Sequence, residues 1–270
     1  MALGNGIGIP FSKNAASAGT SYLLDDLSAT PDVIISPSKA FRLTWETAPI
    51  IRLRRKNDGA ESDFTGADIT SGADLTWVGS QSSWVRYVYD QSGNSKHLGQ
   101  STAAYQGQYT DTSGNKITMT DGNPAPQQIP TGMTFPALGF TGISGAAVFR
   151  FNGNTDTAWH LLRNGAAHLA QALGRDSASP VSGVGTPHID INGTQLSGAT
   201  YTKGHFQSAT ESTDVTVIFR DIDWSDSANW NTIVPYLTYY GNVKMSSVAL
   251  YNADPGSGDL NLIVTAFETT

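Results

Sequence analysis

Alternation of apolar and polar residues is the clearest signal along this chain. Between Ile50 and Arg55 apolar and basic residues alternate, so Ile51 and Leu53 share one face of a predicted strand. The segment Trp84–Tyr89 alternates in the same way and gives the strongest strand signal in the sequence. Its two predicted faces carry Val85, Tyr87 and Tyr89 on one side, and Trp84, Arg86 and Val88 on the other.

Further short β candidates follow, with Asn-Gly and Asp-Gly pairs between or beside them that suit tight hairpin turns. They are Lys116–Thr120, Thr134–Phe135, Ala146–Phe151, His188–Ile191, Val215–Arg220, Tyr236–Tyr240 and Met245–Tyr251. The segment between Pro31 and Pro37 is a candidate short edge strand. The last segment, Gly258–Glu268, instead has apolar residues at helical spacing, which predicts a one-faced helix laid against the edge of a sandwich.

This element pattern predicts an all-β fold. Strands at short intervals and little helix indicate an antiparallel β-sandwich with one short C-terminal helix. No internal repeat or clear linker interrupts the later chain, so we expect a single sandwich domain over residues 38–270. Residues 1–37 are rich in Gly, Ala and Ser, and we expect an extended N-terminal arm that packs on something else, such as another subunit.

Composition narrows the range of partners. The chain has 270 residues, no Cys and a formal net charge of -7, with only 14% charged residues. This balance disfavours nucleic-acid binding, which needs clustered Lys and Arg. No segment is long and apolar enough to predict a membrane span, so we expect no membrane insertion. The N-terminus lacks the charged and apolar regions of a signal peptide, which predicts work in the cytoplasm or release without general secretion.

Catalytic signals are sparse. Most glycosidases need two carboxylates that flank the scissile bond. The chain has four Glu, namely Glu46, Glu61, Glu211 and Glu268, and no two of them share a strand at alternating spacing. The His residues form no zinc motif, and no nucleophile elbow is present. The sequence therefore assigns no catalytic residue.

Two other candidate sites depend on loops. Asp221, Asp223 and Asp226 form the densest acidic run, a weak Ca²⁺ candidate that lacks the Gly and the terminal Glu of an EF-hand loop. The alternative is a polar loop that caps the turn after a strand. Four aromatic residues in or near polar loops are candidates for stacking on sugar rings, although large rings also fill sandwich cores. They are Trp224, Trp230, Tyr239 and Tyr240.

The run Asp90-Gln91-Ser92-Gly93-Asn94 ends the strongest predicted strand. Asp90 is expected to accept backbone N–H bonds from Ser92 and Gly93, as Asx-turns do. Gly93 or Asn94 can take a positive φ. We therefore interpret these residues as a structural turn rather than a catalytic loop.

Residues 38–105 carry a longer pattern. The stretches PSKAFRL, APIIRLRRKNDGAESDF, ADLTWVG and WVRYVYDQSGNSKHLGQSTAAYQ together resemble a module in which a basic strand, a short helix and a "YDQSGN" turn follow one another. This module resembles the arabinofuranosidase-B-type catalytic sandwich. It is similar also to bacteriophage tail and virion structural proteins with a concanavalin A-like (laminin-G-like) jelly-roll fold. The resemblance implies that fold. The enzymes carry Cys residues that this chain lacks, and their nucleophilic Glu matches none of its four.

The resemblance favours a structural role over an enzymatic one. It implies a bacteriophage virion protein, such as a tail fibre, appendage or capsid-surface component, that contacts other virion proteins and host-surface glycans. Such a protein would assemble in the host cytoplasm as a homo-oligomer and leave by lysis. Two alternatives stay open, a glycoside hydrolase of the arabinofuranosidase type and a soluble carbohydrate-binding module. Apart from the Ca²⁺ candidate, no cofactor is expected.

Overall fold

The computed structural model describes residues 22–118, 133–152, 159–164, 167–172, 188–196, 213–225, 232–233 and 244–269. These residues form two β-sheets in which every described strand pairing is antiparallel. The predicted all-β sandwich with a short C-terminal helix is confirmed. Among the described residues, no helix has the length and apolar character needed to cross a membrane.

The smaller sheet has six strands in the order β1-β15-β8-β13-β11-β12. Their bounds are β1 Val33–Ile35, β8 Gly145–Asn152, β11 His188–Ile191, β12 Thr194–Leu196, β13 Asp214–Ile222 and β15 Lys244–Tyr251. Strands β8, β13 and β15 are buried along nearly their whole length. Strands buried on both faces lose the polar alternation of a half-exposed sheet. This explains the near-continuous apolar runs of these strands in the sequence.

The larger sheet runs β10-β9-β14-β7-β5-β4-β2-β3, with β6 paired to β4. Its bounds are β2 Pro49–Arg55, β3 Glu61–Thr65, β4 Ser83–Val88, β5 Leu98–Gly99, β6 Gly107–Thr110, β7 Met133–Thr134, β9 Trp159–Asn164, β10 Ala167–Ala172 and β14 Thr232–Ile233. Inward side chains such as Leu53 and Val85 meet Phe149 and Val217 of the smaller sheet in one core. The two sheets therefore share a single apolar interior.

Four helices complete the described fold. They are α1 Leu23–Asp26, α2 Gly66–Ser71, α3 Ala73–Val78 and α4 Ser257–Glu268, with short 3-10 turns at Leu43–Glu46 and Ala103–Tyr105. Helix α4 matches the predicted C-terminal helix, and Leu260, Ile263 and Phe267 are buried. It packs on the outer face of the smaller sheet, against residues such as Val148 and Ala249, rather than on a sandwich edge.

The described end of the segment that the sequence assigned to an N-terminal arm, residues 22–37, belongs to the sandwich. Strand β1, the predicted short edge strand, pairs with β15 through Val33, Ile34 and Ile35. Ser28 donates to the Asp259 carboxylate from its backbone N–H at 3.1 Å and from its hydroxyl at 2.8 Å. The described residues up to 37 thus pack on their own chain. Residues 1–21 lie outside the described residues, and an arm there stays a prediction.

Candidate functional site

The outer face of the larger sheet is the part of the sandwich that combines exposed aromatic and charged side chains. Helix α4 covers the outer face of the smaller sheet, whereas β2, β3 and β4 present partly exposed polar residues to solvent. We call this surface the aromatic–arginine face and define it by Arg52, Arg54, Glu61, Asp63, Trp84, Arg86, Tyr87 and Tyr89.

A β-bulge shapes this face. Arg52 pairs with Tyr87 and Leu53 pairs with Val85, so Arg86 is the extra residue on β4. A bulge re-aims the side chains that follow it. Val85 and Val88 are both buried, whereas Arg86 and Tyr87 are partly exposed beside each other. The strict alternation expected over Trp84–Tyr89 is therefore broken at Arg86.

One edge of the face is fixed by a charge cluster. The Arg52 guanidinium donates to both Asp63 carboxylate oxygens at 2.7 Å, and the Tyr89 hydroxyl donates to the same carboxylate at 2.8 Å. The hydrogen bond from Arg52 lowers the pKa of Asp63. Burial and the bond to Asp63 raise the pKa of Tyr89 to about 12. These groups therefore keep fixed protonation states at neutral pH.

Arginine–ring stacking orders the middle of the face. The Arg54 guanidinium carbon lies 4.9 Å from the Trp84 ring centroid, and that of Arg86 lies 4.5 Å from the Tyr87 ring centroid. Such contacts add roughly 0.5–1 kcal/mol at exposed sites. They also restrict two long flexible side chains to defined positions.

The Tyr87 ring packs on the backbone of Gly99. Tyr87 and Gly99 are direct partners across β4 and β5. A Cβ atom at Gly99 would lie 2.4 Å from Tyr87 Cε1, closer than carbon atoms can approach. The ring therefore lies on the glycine backbone. Any larger residue at Gly99 would push it outward.

A surface cleft of about 300 Å³ opens beside this ring. Its polar lining comes from Arg86, His97, Gln100, Ser101 and Thr134, and its apolar lining comes from Tyr87, Phe135 and Pro136. Ligand clefts typically combine such apolar walls with a few placed polar groups and span roughly 300–1,000 Å³. The cleft therefore has the size and lining for one small ligand unit.

His97 is a neutral donor in this cleft. Its Nδ1 accepts the backbone N–H of Asp90 at 3.0 Å, so the neutral ring carries its proton on Nε2. Burial lowers the pKa of His97, and the nearby Asp90 charge only partly opposes this shift. The ring edge also packs against Tyr89, with centroids 5.1 Å apart.

The run Asp90–Asn94 joins the two sheets, and we call it the corner clamp. Asp90 is buried, and its Oδ1 accepts the backbone N–H of Ile34 at 3.0 Å and that of Ser92 at 2.9 Å. Its Oδ2 accepts the Ser92 hydroxyl at 2.8 Å and the Lys96 N–H at 3.0 Å. The Gln91 N–H donates to the Ile34 carbonyl at 2.8 Å. The clamp thus satisfies the backbone of edge strand β1.

The structure gives the other clamp residues structural roles as well. Gly93 takes a φ of +99°, which a residue with a side chain rarely adopts. The Ser92 hydroxyl and the Asn94 amide contact the Asp32 carbonyl at 3.1 and 2.9 Å. The expected Ser92 N–H bond to Asp90 is present, whereas the N–H groups of Ile34 and Lys96 donate to the carboxylate where Gly93 was expected.

Trp224 does not lie on a ligand surface. It is fully buried, its Nε1 donates to the Tyr251 carbonyl at 2.9 Å, and its ring contacts Phe140. Gly145 leaves room for the ring, since a Cβ there would overlap Trp224 Nε1. This corrects the proposed glycan contact at Trp224. Trp230, Tyr239 and Tyr240 lie outside the described residues.

The acidic run has separate partners in the described structure. Asp221 contacts His188 Nδ1 at 2.6 Å and the Ser144 hydroxyl at 3.1 Å. Asp223 accepts the Ser225 N–H at 2.9 Å and the Ser225 hydroxyl at 2.6 Å. Asp226 lies outside the described residues. Within the described part of the chain, no three His, Asp or Glu side chains converge as metal ligands.

Sequence reasoning did not single out one buried acid, Asp74. Its fully buried carboxylate accepts the Tyr109 hydroxyl at 2.8 Å and contacts Lys116 Nζ at 3.0 Å. Burial raises the pKa of Tyr109, so its hydroxyl stays a donor. The contacts of Asp74 with Tyr109 and Lys116 therefore link helix α3 to β6 and to the hairpin that follows β6.

The described lining does not supply a glycosidase pair. None of the described residues that line the cleft is a carboxylate. Asp63, on the same face, has a lowered pKa, whereas a general acid needs a raised one. The described lining of the cleft therefore contains no carboxylate pair.

Comparisons with known proteins give distant structural neighbours. No protein-family profile and no curated protein sequence matches the chain. One similar solved structure is a GH54 α-L-arabinofuranosidase soaked with a cyclic sulfate inhibitor, at 14% identity and a TM-score of 0.48. Another is an arabinofuranosidase complexed with arabinofuranosyl-α-1,2-xylobiose, at 13% identity and a TM-score of 0.45. In both, the alignment covers 88% of this chain and 62% of the enzyme.

Proposed function

We propose that this chain is a non-catalytic, glycan-contacting β-sandwich, and that it serves as a surface component of a bacteriophage virion. The observation that carries the glycan contact is the cleft beside Tyr87, where an aromatic wall meets five polar side chains. Sugars have apolar C–H faces rimmed by hydroxyl groups, so they fit a lining of this mixed kind. The virion setting rests on the sequence pattern of residues 38–105 and on the composition.

The rigid surroundings of the cleft support binding without large rearrangement. The corner clamp positions His97, Gly99 positions the Tyr87 ring, and the bulge positions Arg86. Because these groups are already ordered, a ligand loses little affinity to their immobilisation.

A glycan array of bacterial surface polysaccharides tests the contact, with affinities of the hits measured by calorimetry with and without Ca²⁺. Tyr87→Ala should weaken binding at least about tenfold, because a hot-spot aromatic contributes roughly 1.5 kcal/mol or more. Tyr105→Ala is the matched control, since Tyr105 is an exposed tyrosine that does not line the cleft. Silence of the wild-type protein across the array would refute the glycan contact.

Two measurements test the virion setting. Mass spectrometry of purified phage particles should detect the chain, and light scattering should show a homo-oligomer. A monomer that is missing from particles would contradict this part of the proposal. Release of arabinose from a chromogenic arabinofuranoside would instead support the hydrolase alternative.

A further inference from the structure

We propose that the cleft selects sugars that carry a carboxylate, with Arg86 as the group that binds it. This inference rests on the proposed glycan contact and adds the chemical class of the ligand, a hexuronate unit. It follows from the different hydrogen bonds that the arginines of the aromatic–arginine face make within the protein.

The neighbouring arginines are committed to protein partners. Arg52 uses its guanidinium on both oxygens of Asp63, and Arg54 donates to the Gln106 side chain at 2.7 Å. Arg86 differs, because its nearest carboxylate oxygen belongs to Glu61 and lies 3.7 Å from Nε, beyond hydrogen-bond distance. Within the described residues its guanidinium makes no hydrogen bond, and its side chain, which is 19% exposed, lines the cleft.

The Tyr87 ring stacks on the Arg86 guanidinium and fixes its orientation. The Arg86 guanidinium carbon lies 4.5 Å from the Tyr87 ring centroid, so the ring covers one flat side of this group. A planar guanidinium binds a carboxylate through two parallel N–H···O bonds, and such charge-assisted pairs are stronger than neutral ones. Tyr87 therefore orients the cation and also forms part of the cleft wall.

The cleft adds little opposing charge. None of its described lining residues is acidic, and His97 contributes a neutral Nε2–H donor. The chain as a whole carries a net charge of -7, so long-range attraction of polyanions is not expected. Selectivity for an acidic sugar would therefore come from short-range contact at Arg86.

Substitution of Glu61 provides a specific test of carboxylate binding by Arg86. Its carboxylate competes with a ligand carboxylate for Arg86 from 3.7 Å. Glu61→Gln should therefore strengthen the binding of an acidic sugar and leave a neutral sugar unaffected. A purely structural role for the Arg86–Glu61 contact predicts no such gain.

The experiment compares three uronate-containing oligosaccharides, from polygalacturonate, polymannuronate and hyaluronan, each beside its carboxyl-reduced form, by calorimetry at fixed salt. We expect at least one acidic form to bind about tenfold or more tighter than its reduced partner, as one charged hydrogen-bonded pair provides. Arg86→Gln should abolish this difference, and Arg86→Lys should keep part of it. Lys56→Gln is the charge-matched control, because Lys56 is exposed and does not line the cleft.

The outcomes separate the two proposals. Equal binding of every acidic and reduced pair, or equal losses in Arg86→Gln and Lys56→Gln, would overturn the acidic-sugar inference and leave the glycan contact in place. No binding to these probes together with a silent glycan array would overturn both. Circular dichroism and thermal unfolding of each variant establish that it is folded.

Discussion

Replacement of Asp90 tests the corner clamp. Asp90→Ala removes the acceptor of two buried backbone donors, the N–H groups of Ile34 and Ser92. A buried donor left without an acceptor costs about 1–3 kcal/mol, so the two together cost about 2–6 kcal/mol. The Ser92 hydroxyl can still donate to the Asp32 carbonyl, and the Lys96 N–H is only partly buried, so neither adds much.

Loss of the buried charge offsets part of this cost. Removing a carboxylate from the interior relieves its desolvation, and we therefore expect a destabilisation of about 2–4 kcal/mol. Typical domains are stable by about 5–15 kcal/mol, so this loss is a large fraction. Asp90→Asn keeps one carbonyl oxygen for the two backbone donors and should cost less than about 2 kcal/mol.

Urea unfolding followed by tryptophan fluorescence measures these changes as shifts in midpoint at constant slope. Asp223→Ala is the matched control, because Asp223 accepts the N–H and hydroxyl of Ser225 in the same Asp-x-Ser arrangement but in an exposed turn. We expect only a small fraction of the Asp90→Ala effect there. Equal destabilisation by Asp90→Ala and Asp90→Asn would refute the hydrogen-bond argument, since it would show that the carbonyl acceptor kept in Asp90→Asn makes no difference.

Three other changes test the core, the cleft and the titration of its histidine. Trp224→Ala should lower the free energy of unfolding by about 3–5 kcal/mol and leave glycan affinity unchanged. A reduced glycan affinity in the folded variant would contradict the assignment of Trp224 to the core. Gly99→Ala should cost about 1–3 kcal/mol and weaken glycan binding, because the new methyl group displaces the Tyr87 ring; unaltered affinity would argue against that ring as a wall of the site. The pKa of His97 is lowered in the folded state, so the unfolded chain binds its proton more readily, and stability should decrease as the pH falls below about 6.5. His97→Gln should flatten this pH dependence in urea midpoints, and an identical profile would rule the histidine out as its source.

Periodicity predicted the strands but could not locate the bulge. The alternation over Trp84–Tyr89 favours Val85 and Tyr87 on one face, yet Arg86 is inserted into the pairing and Val88 returns to the core. A bulge is decided by the register of the neighbouring strand, and this information is spread over β2 rather than carried by β4. The candidate site depends on that displacement and was therefore missed.

Local polarity misled the assignment of Trp224, and it gave no sign that Asp74 is buried. Trp224 follows a strand and is surrounded by Asp and Ser, so the sequence suggests a surface loop. The ring is buried because a bulge between Arg220 and Ile222 reorients the chain and because Gly145 leaves space beside the indole. Asp74 is buried because the Tyr109 hydroxyl and Lys116 approach it from distant positions in the chain. Burial depends on such long-range neighbours, which short windows do not reveal.

The position of the C-terminal helix decides which outer face of the sandwich is open to a ligand. Both sheets have outward side chains, and on the smaller sheet helix α4 covers apolar ones such as Val148 and Ala249. The larger sheet instead carries Arg86 and Tyr87 outward, and such charged and hydroxylated groups favour contact with water or a polar ligand. The asymmetry in outward residues is visible in the sequence once the sheet of each strand is known. The strand pairing assigns each strand to its sheet, and this assignment places Arg86 and Tyr87 on the aromatic–arginine face.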